Sequence, residues 1–449
     1  MKLIESIKKD LNLTEVFKGS SIAMVYKVAG AGIGYVFFWV ISRLYGADLV
    51  GIFSLCWTIL LFLSILGKAG MDSSIVRFIA SFLGRGEGKS IMHIYRRGLS
   101  IVLIFSIVAA LLLMLFRHPL GRLFFETENS AWLLSIVAMA LVPFSILTFS
   151  SEALRGLKKI GYYSLLQNGS VYLSILIIIL IMWLSGFNND YVLQSLVISI
   201  SLIAFGSMML YRTIEKNSLR NLIQNDNVEI IPYRRILNIS FPMMIGNALF
   251  ILLNWTDILV LGIYRTDADV GIYNIAVKIA ALNSIVLAAI NTIAAPKFAE
   301  IFNTGKRSGF RRMVKQIAMI NTLLSLPVFI IILIFPQQLL VLFGPEYAAG
   351  KSALMFLAVA HFSNAICGST MYVMNMSGME KTGRNIMIVS ALINVSLNFL
   401  LIPRHGLMGG AIATLSSVLI WNAISVISIY RKHGFYTFPF RIGKNTDQD

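Results

Sequence analysis

The chain has 449 residues, of which 57% are hydrophobic and 13% are charged. Soluble domains carry about 25% charged residues, so this composition excludes an ordinary soluble protein. The formal net charge is +17, which we assign to cytoplasmic loops beside anionic lipid rather than to nucleic-acid binding. We therefore expect membrane lipids as partners and no nucleic acid.

The chain begins with a mixed-charge segment, residues 1–19, in which apolar residues recur at roughly helical spacing. It lacks the pattern of a cleavable signal peptide. We expect this segment to lie on the membrane interface, on the cytoplasmic side.

Long apolar blocks follow, each long enough to cross the hydrocarbon core. Residues 171–184, for example, contain no charge and one Ser. The blocks are continuous rather than alternating, which indicates helices. Twelve spans are predicted, at 20–43, 49–68, 98–116, 131–154, 162–185, 190–212, 236–262, 270–296, 314–335, 350–375, 384–402 and 408–430.

The distribution of Lys and Arg predicts the orientation of these spans. With both termini in the cytoplasm, thirty of the 38 basic residues fall on cytoplasmic segments and six on outer loops. The remaining two, Lys27 and Lys278, lie within spans. This bias predicts a multi-pass protein of the cytoplasmic (inner) membrane with both termini cytoplasmic.

An internal repeat relates the two halves at a shift of about 220 residues. The matched positions include Gly51 with Gly271, Arg77 with Lys297 and, at a shift of 222, Gly156 with Gly378. Because six spans separate the repeats, both halves enter the membrane in the same direction.

The predicted fold is therefore all-α, with twelve transmembrane helices in two six-helix bundles related by this repeat. The interfacial segment 1–19 precedes the first bundle, 20–212. A cytoplasmic linker, 213–235, leads to the second bundle, 236–430, and a cytoplasmic tail covers 431–449.

Short motifs open each half of the chain. The first half contains Arg43-Leu44-Tyr45-Gly46, Gly51, Gly67, Gly70 and Arg77, and the second contains Ser240-Phe241-Pro242, Asp257, Leu261-Gly262, Val270-Gly271-Ile272-Tyr273 and Ala276. This pattern resembles the polysaccharide-transporter branch of the multidrug/oligosaccharidyl-lipid/polysaccharide exporter superfamily, which includes O-antigen repeat-unit flippases.

The resemblance implies a function. Members of that branch flip a polyprenyl-diphosphate-linked oligosaccharide from the inner to the outer leaflet by alternating access, through a cationic central cavity. It also implies glycan assembly enzymes as partners, while the oligomeric state stays open.

Four residues are candidates for substrate binding in that cavity. A cation within a span costs about 2.5–3.5 kcal/mol on insertion scales, so Lys27 and Lys278 are expected to face a cavity or a partner. Lys27 has the alternative of reaching the cytoplasmic surface along its helix. Asn254 and Trp255 are expected to line the same cavity.

Two further residues are candidates for coupling or switching. Asp257 lies within the seventh span and is expected either to bind a proton or cation, or to pair with Lys278 at a matching depth. His361, in the tenth span, is the second candidate, with a packing role as the alternative. We expect no cofactor, and coupling to a proton or sodium gradient.

Charged residues at the cytoplasmic ends of the spans form candidate gate pairs, with a solvated structural role as the alternative. These are Asp72, Arg77, Glu152, Arg155, Lys297 and Glu300.

Three other functions compete with glycan flipping. A cation-coupled multidrug exporter of the same superfamily is the main alternative, and a passive scaffold is another. A membrane glycosyltransferase would use paired carboxylates such as Glu126 with Glu128 or Asp267 with Asp269. However, the sequence shows no catalytic or metal-binding motif, so we expect a transporter rather than an enzyme.

Overall fold

The structure is a computed structural model that describes residues 11–127, 130–185, 191–219, 229–303 and 307–439. The chain divides into two compact units, Met1–Gly271 and Ile272–Asp449, called here the first and second unit. Within the described ranges every regular element is helical.

Nine helices and the first turn of a tenth belong to the first unit. They are α1 (Leu11–Lys68), α2 (Met71–Arg85), α3 (Gly88–Leu115), α4 (Arg117–Phe124), α5 (Ser130–Gly156), α6 (Ile160–Gln167), α7 (Ser170–Leu184), α8 (Val192–Leu219), α9 (Tyr233–Tyr264) and the start of α10 (Asp267–Asn303). The rest of α10 belongs to the second unit. It is followed by α11 (Arg307–Ile334), α12 (Pro336–Val341), a 3-10 helix (Pro345–Gly350), α13 (Lys351–Cys367), α14 (Thr370–Met376) and α15 (Glu380–His433).

The prediction of an all-α polytopic membrane protein is confirmed. Among the described residues, eight helices are long and apolar enough to cross a membrane, or nine if α6 and α7, bent by 50°, form one broken span. A helix satisfies its own backbone groups, which hydrocarbon requires of any spanning segment.

Two of the long helices contain a break at a glycine. In α1 the break is at Gly46 (φ 76°, ψ −173°), between the spans predicted at 20–43 and 49–68. In α15 it is at Gly406 (φ 56°, ψ −131°), between the spans predicted at 384–402 and 408–430. The other predicted spans each coincide with one helix or with two consecutive helices.

Within the first unit, the described C-terminal part of the predicted linker 213–235 contacts α2 and α3. The backbone N–H of Glu229 donates to Ser90 Oγ (2.8 Å), and its carboxylate pairs with Arg85 (3.0 Å). Residues 220–228, which include its central polar run, lie outside the described residues. The first unit thus includes α9, which the sequence places at the start of the second bundle.

The two predicted repeats share one local conformation. Lys158 (φ 61°) and Gly378 (φ 70°) occupy matching left-handed turns. Each turn is closed by a 2.9 Å hydrogen bond from the next residue to the carbonyl five positions earlier, at Leu154 and Met374. These turns match at a shift of 220 residues, whereas the sequence pairs Gly156 with Gly378 at a shift of 222.

The best-matched repeat positions meet within the first unit. A Cβ on Gly51 would lie 1.7 Å from the carbonyl oxygen of Asp267, and a Cβ on Gly271 would lie 2.1 Å from that of Ala47. Gly51 and Gly271 are 220 residues apart, as are Ala47 and Asp267, so the two contacts exchange places under the shift of the predicted repeat. The second part of α1 and the first turn of α10 thus cross at backbone contact, which only glycine permits.

Substitution of either glycine should prevent this crossing. We expect Gly51→Ala and Gly271→Ala to lower the melting temperature of the purified protein strongly, because overpacking costs about 1–3 kcal/mol or more. Gly246→Ala in α9 is the matched control, since a Cβ there has no neighbour within 4 Å. Equal stability of all three variants in a thermal-shift measurement would contradict the crossing.

Candidate functional site

A cavity of about 480 Å³ in the first unit is lined by α1, α2, α5 and α9. One end carries charged side chains: Lys68, Asp72, Glu152 and Arg155. The other carries aromatic side chains: Trp57, Phe250 and Trp255. Its volume lies within the range of about 300–1,000 Å³ that is typical of small-molecule sites.

A tight turn between α1 and α2 positions the charged end. Ala69 (φ 47°) and Gly70 (φ 75°) are both left-handed, so the chain changes direction between Lys68 and Met71. A Cβ on Gly70 would lie 2.0 Å from the carbonyl oxygen of Ser240, which brings α9 against the turn. The turn therefore places α1, α2 and α9 around the same space.

Two ion pairs neutralise the charged end. Lys68 Nζ lies 3.1 Å from Asp72 Oδ2, and the two side chains are only 10% and 12% exposed. Arg155 Nε lies 2.7 Å from Glu152 Oε2, with the Arg155 side chain 42% exposed and that of Glu152 13% exposed. A charge in such a setting is tolerated only with a partner, because removing one partner of a buried pair costs about 3–5 kcal/mol.

Asn247 joins α9 to this cluster. Its Nδ2 donates to Asp72 Oδ1 (3.1 Å) and to Ser73 Oγ (3.1 Å). The backbone N–H of Ser73 also donates to Asp72 Oδ1 (2.8 Å). The Asp72 carboxylate therefore has a cation on one oxygen and two donors on the other, which fixes its orientation.

The structure brings together three of the predicted gate residues. Asp72, Glu152 and Arg155 line the cavity, whereas Arg77 is exposed on α2 and is not among the lining residues. The side chains of Lys297 and Glu300 lie outside the described residues.

Sequence reasoning missed two members of the site, Lys68 and Asn247. Lys68 ends the span predicted at 49–68 and counts among the cytoplasmic basic residues. Because Ala69 and Gly70 break the helix before Asp72, helical spacing does not predict this ion pair. Asn247 shares a helix face with Ile251 and Trp255, at the spacing of one and two helical turns.

The predicted substrate-binding residues have different surroundings. Trp255 lines the cavity, whereas the neighbouring Asn254 is exposed and donates to the carbonyl of Phe250 (2.7 Å) in its own helix. Lys27 is exposed on α1, and Lys278 is half-buried in the second unit. These assignments stay predictions.

The two coupling candidates are held in separate units. Asp257 is 7% exposed in the first unit, and its Oδ1 accepts the backbone N–H of Ile258 (2.9 Å). His361 Nδ1 and Ser284 Oγ are 2.8 Å apart in the second unit. The predicted pair of Asp257 with Lys278 would join the two units and stays a prediction.

A family model described as "Polysaccharide biosynthesis protein" matches residues 16–302, a stretch that contains every residue lining the cavity. The chain belongs to this family. A second model, MatE, matches residues 242–400. The resemblance to the polysaccharide-transporter branch is thereby confirmed, and as a member of this transporter family the chain is not an enzyme.

Relatives and solved structures extend the similarity over most of the chain. The "Probable low-salt glycan biosynthesis flippase Agl15" of Haloferax volcanii is 22% identical over 89% of this chain and 81% of its own length. A structure titled "Lipid II flippase MurJ, inward closed conformation" aligns with a TM-score of 0.70 at 15% identity, covering 91% of this chain and 87% of that chain. An inward-facing multidrug resistance MATE family transporter aligns with a TM-score of 0.69 at 14% identity, covering 93% and 98%. At these identities the two structures show the shared fold alone.

A second cavity, of about 740 Å³, lies at the other end of α5 and α9 from the first cavity. The charged and hydroxyl side chains that line it are Arg122, Glu126, Thr127, Ser130, Tyr264, Arg265, Thr266 and Asp269. Thr127 Oγ1 donates to Oδ2 of Asp267 (3.3 Å), which is 6% exposed. Of the carboxylates considered for enzyme chemistry, Glu128 lies outside the described residues.

Asp267 lies before the span predicted at 270–296, in an unfavourable setting for a charge. The pKa of Asp267 is raised to about 6, mainly because the carboxyl group is buried. Hydrogen bonds from Thr127 and from the backbone N–H of Glu126 lower the pKa, whereas the nearby carboxylates of Glu126 and Asp48 raise it. The group therefore binds its proton more tightly in the folded state than in the unfolded state.

This shift predicts a pH-dependent stability. The pKa of this carboxyl group is near 4 in the unfolded chain and about 6 in the folded protein. Between these two pH values, rising pH lowers the stability of the folded state, because the carboxyl group ionises more readily in the unfolded state. Asp267→Asn should therefore raise the melting temperature at pH 7.5, and the gain should shrink below pH 5. Asp269→Asn, in the same helical turn, is the matched control. A gain that is constant from pH 4.5 to 7.5 would contradict this cause.

Proposed function

We propose that this protein flips a polyprenyl-diphosphate-linked oligosaccharide, a polysaccharide repeat unit, from the inner to the outer leaflet by alternating access. The observation that carries the proposal is the charged end of the cavity, where Lys68 and Arg155 are held at the boundary of spanning helices. Membership of the polysaccharide biosynthesis family and the similarity to Agl15 support it.

A diphosphate would bind by exchanging partners with the carboxylates. Lys68 and Arg155 are already paired with Asp72 and Glu152, so the four charges sum to zero. An anion therefore binds the two cations only by displacing the two carboxylates. A diphosphate carries more charge than a carboxylate and forms stronger charge-assisted hydrogen bonds. The released carboxylates would then take up protons or a sodium ion, which provides a route to gradient coupling.

The proposal includes twelve crossings, with α1 and α15 each crossing twice and turning at Gly46 and Gly406. Both termini would lie in the cytoplasm, and the protein would reside in the cytoplasmic (inner) membrane. The bundles 20–212 and 236–430 would rock to expose the substrate alternately to each side.

Four predicted residues have supporting roles in this proposal. Lys27 and Lys278 would add positive charge along the substrate path. Asp257 and His361 would act in coupling.

Export of organic cations is the second candidate function. The MatE match at 242–400 and the carboxylates of Asp72 and Glu152 favour it, because a cationic drug would displace Lys68 and Arg155 instead. The two functions thus predict opposite roles for the same ion pairs. The activity of a passive scaffold would depend on neither ion pair.

Transport in reconstituted vesicles tests the proposal. The probe is a polyprenyl diphosphate bearing a fluorescent oligosaccharide, and the readout is its exposure to a membrane-impermeant glycosidase. We expect the wild type to accelerate exposure. The double variant Lys68→Gln/Asp72→Asn should slow it at least about tenfold, because it removes the cation without leaving an unpaired buried charge.

Two further variants complete the test. Asp72→Asn alone frees Lys68 and should tighten the binding of inorganic pyrophosphate, whereas a cation exporter would lose affinity for a cationic dye. Arg234→Gln, at an exposed position outside the cavity, is the matched control for loss of a cytoplasmic cation. Unaltered flipping by the double variant, or dye export without glycan flipping, would reject the proposal.

A further inference from the structure

We propose that the aromatic end of the cavity binds the sugar rings of the substrate, so that Trp57 and Trp255 select lipid diphosphates that carry a glycan. This inference rests on the proposed function and extends it, because it assigns the two ends of one cavity to two parts of one molecule. The juxtaposition that carries it is a pair of tryptophans on two helices, facing the same space as the charged cluster.

The two ends are separated along both helices. In α1 the lining residues Trp57, Leu61, Ile65 and Lys68 follow one face, and eleven residues at 1.5 Å each place the indole about 16 Å from the ammonium-bearing turn. In α9, Asn247 and Trp255 are eight residues apart, or about 12 Å. A ligand that spans the cavity therefore meets charged groups at one end and aromatic faces at the other.

Packing against other aromatic rings holds Trp57 in place. Its ring stacks on Phe53 (centroids 6.3 Å apart, 9° between planes) and contacts Phe144 edge-on (5.6 Å) and Tyr172 at a tilt (5.5 Å). Trp57 nevertheless remains partly exposed and lines the cavity. A ring that is fixed before the ligand arrives loses little conformational entropy on binding.

Sugar rings match this end chemically. One face of a pyranose consists of C–H groups and packs flat on an aromatic ring, while its hydroxyls point sideways and need hydrogen-bond partners. Asn247 and Ser73, at the charged end, supply such partners for the sugar next to the diphosphate. A bare prenyl diphosphate would engage the charged end and leave the tryptophans unused.

The depth of the two ends agrees with how the substrate is tethered. Lys68 closes α1 at the end that the charge distribution places in the cytoplasm. The prenyl chain keeps the diphosphate near the interface, at the level of this cluster. The sugars would then reach the tryptophans deeper in the span, where the aromatic end replaces water on their apolar faces.

Binding to the purified full-length protein in nanodiscs tests the inference. The probes are a short-chain prenyl diphosphate and the same lipid carrying a disaccharide, measured by calorimetry. We expect the wild type to bind the glycosylated probe more tightly. Trp57→Ala and Trp255→Ala should each weaken that probe about tenfold, equivalent to about 1.4 kcal/mol, and leave the bare diphosphate within about twofold.

Conservative and matched variants make the result specific. Trp57→Phe and Trp255→Phe should restore most of the affinity, because a ring remains for the sugar. Trp183→Ala removes a tryptophan that is 67% exposed on α7, outside the cavity, and should alter neither affinity. Retained binding of the bare diphosphate shows in each variant that the site is folded.

The outcomes separate this inference from the proposed function. Equal wild-type affinity for the two probes, or equal losses for both in the alanine variants, overturns the sugar site while the diphosphate site stands. Tighter binding of an aromatic cation than of the glycosylated probe, lost in the same variants, also overturns it. Failure of both probes to bind the wild type overturns the proposed function as well.

Discussion

The cost of an unpaired charge next to hydrocarbon governs the arrangement of the first unit. Lys68 and Asp72 are each about one-tenth exposed, and each is tolerated because the other is 3.1 Å away. The two partners lie on either side of the left-handed residues Ala69 and Gly70, and Asn247 ties the same carboxylate to α9. One buried ion pair thus connects three helices.

The two ion pairs differ in how readily they can open. Breaking a buried pair costs about 3–5 kcal/mol, whereas an exposed pair contributes about 0–1 kcal/mol. Because the Arg155 side chain is 42% exposed, its pair with Glu152 resembles an exposed ion pair, whereas the pair of Lys68 with Asp72 resembles a buried one. An incoming anion would therefore engage Arg155 first and Lys68 only when its own charge replaces that of Asp72.

Backbone contact imposes a second constraint, at the opposite ends of the helices. Gly51 and Gly271 let two repeat-related helix starts cross without side chains between them. Asp267 is buried beside this crossing, near the carboxylates of Glu126 and Asp48. The first unit therefore has compensated charges at one end and mutually repelling carboxylates at the other.

Particular residues show how far the sequence could predict the site. Asp72, Glu152 and Arg155 were predicted as gate residues and lie together, because charges at the ends of neighbouring spans share one depth. Arg77 was predicted on the same grounds but is exposed, since its position on α2 turns it away from the cavity. Asn254 and Trp255 are adjacent in the chain, yet the helix rotates by about 100° per residue, so one lines the cavity and the other does not.

The sequence by itself determined the helical class, the positions of the apolar segments and the family. These depend on local hydropathy and spacing, because the bilayer acts on every segment as the same solvent. Only the tertiary structure decided that Lys68 pairs with Asp72, that Asn247 completes the cluster, that Gly51 meets Asp267 and that α9 packs with the first unit. Those contacts join residues from different helices, and a helix's rotation about its axis, which is set by packing, selects which side chains meet.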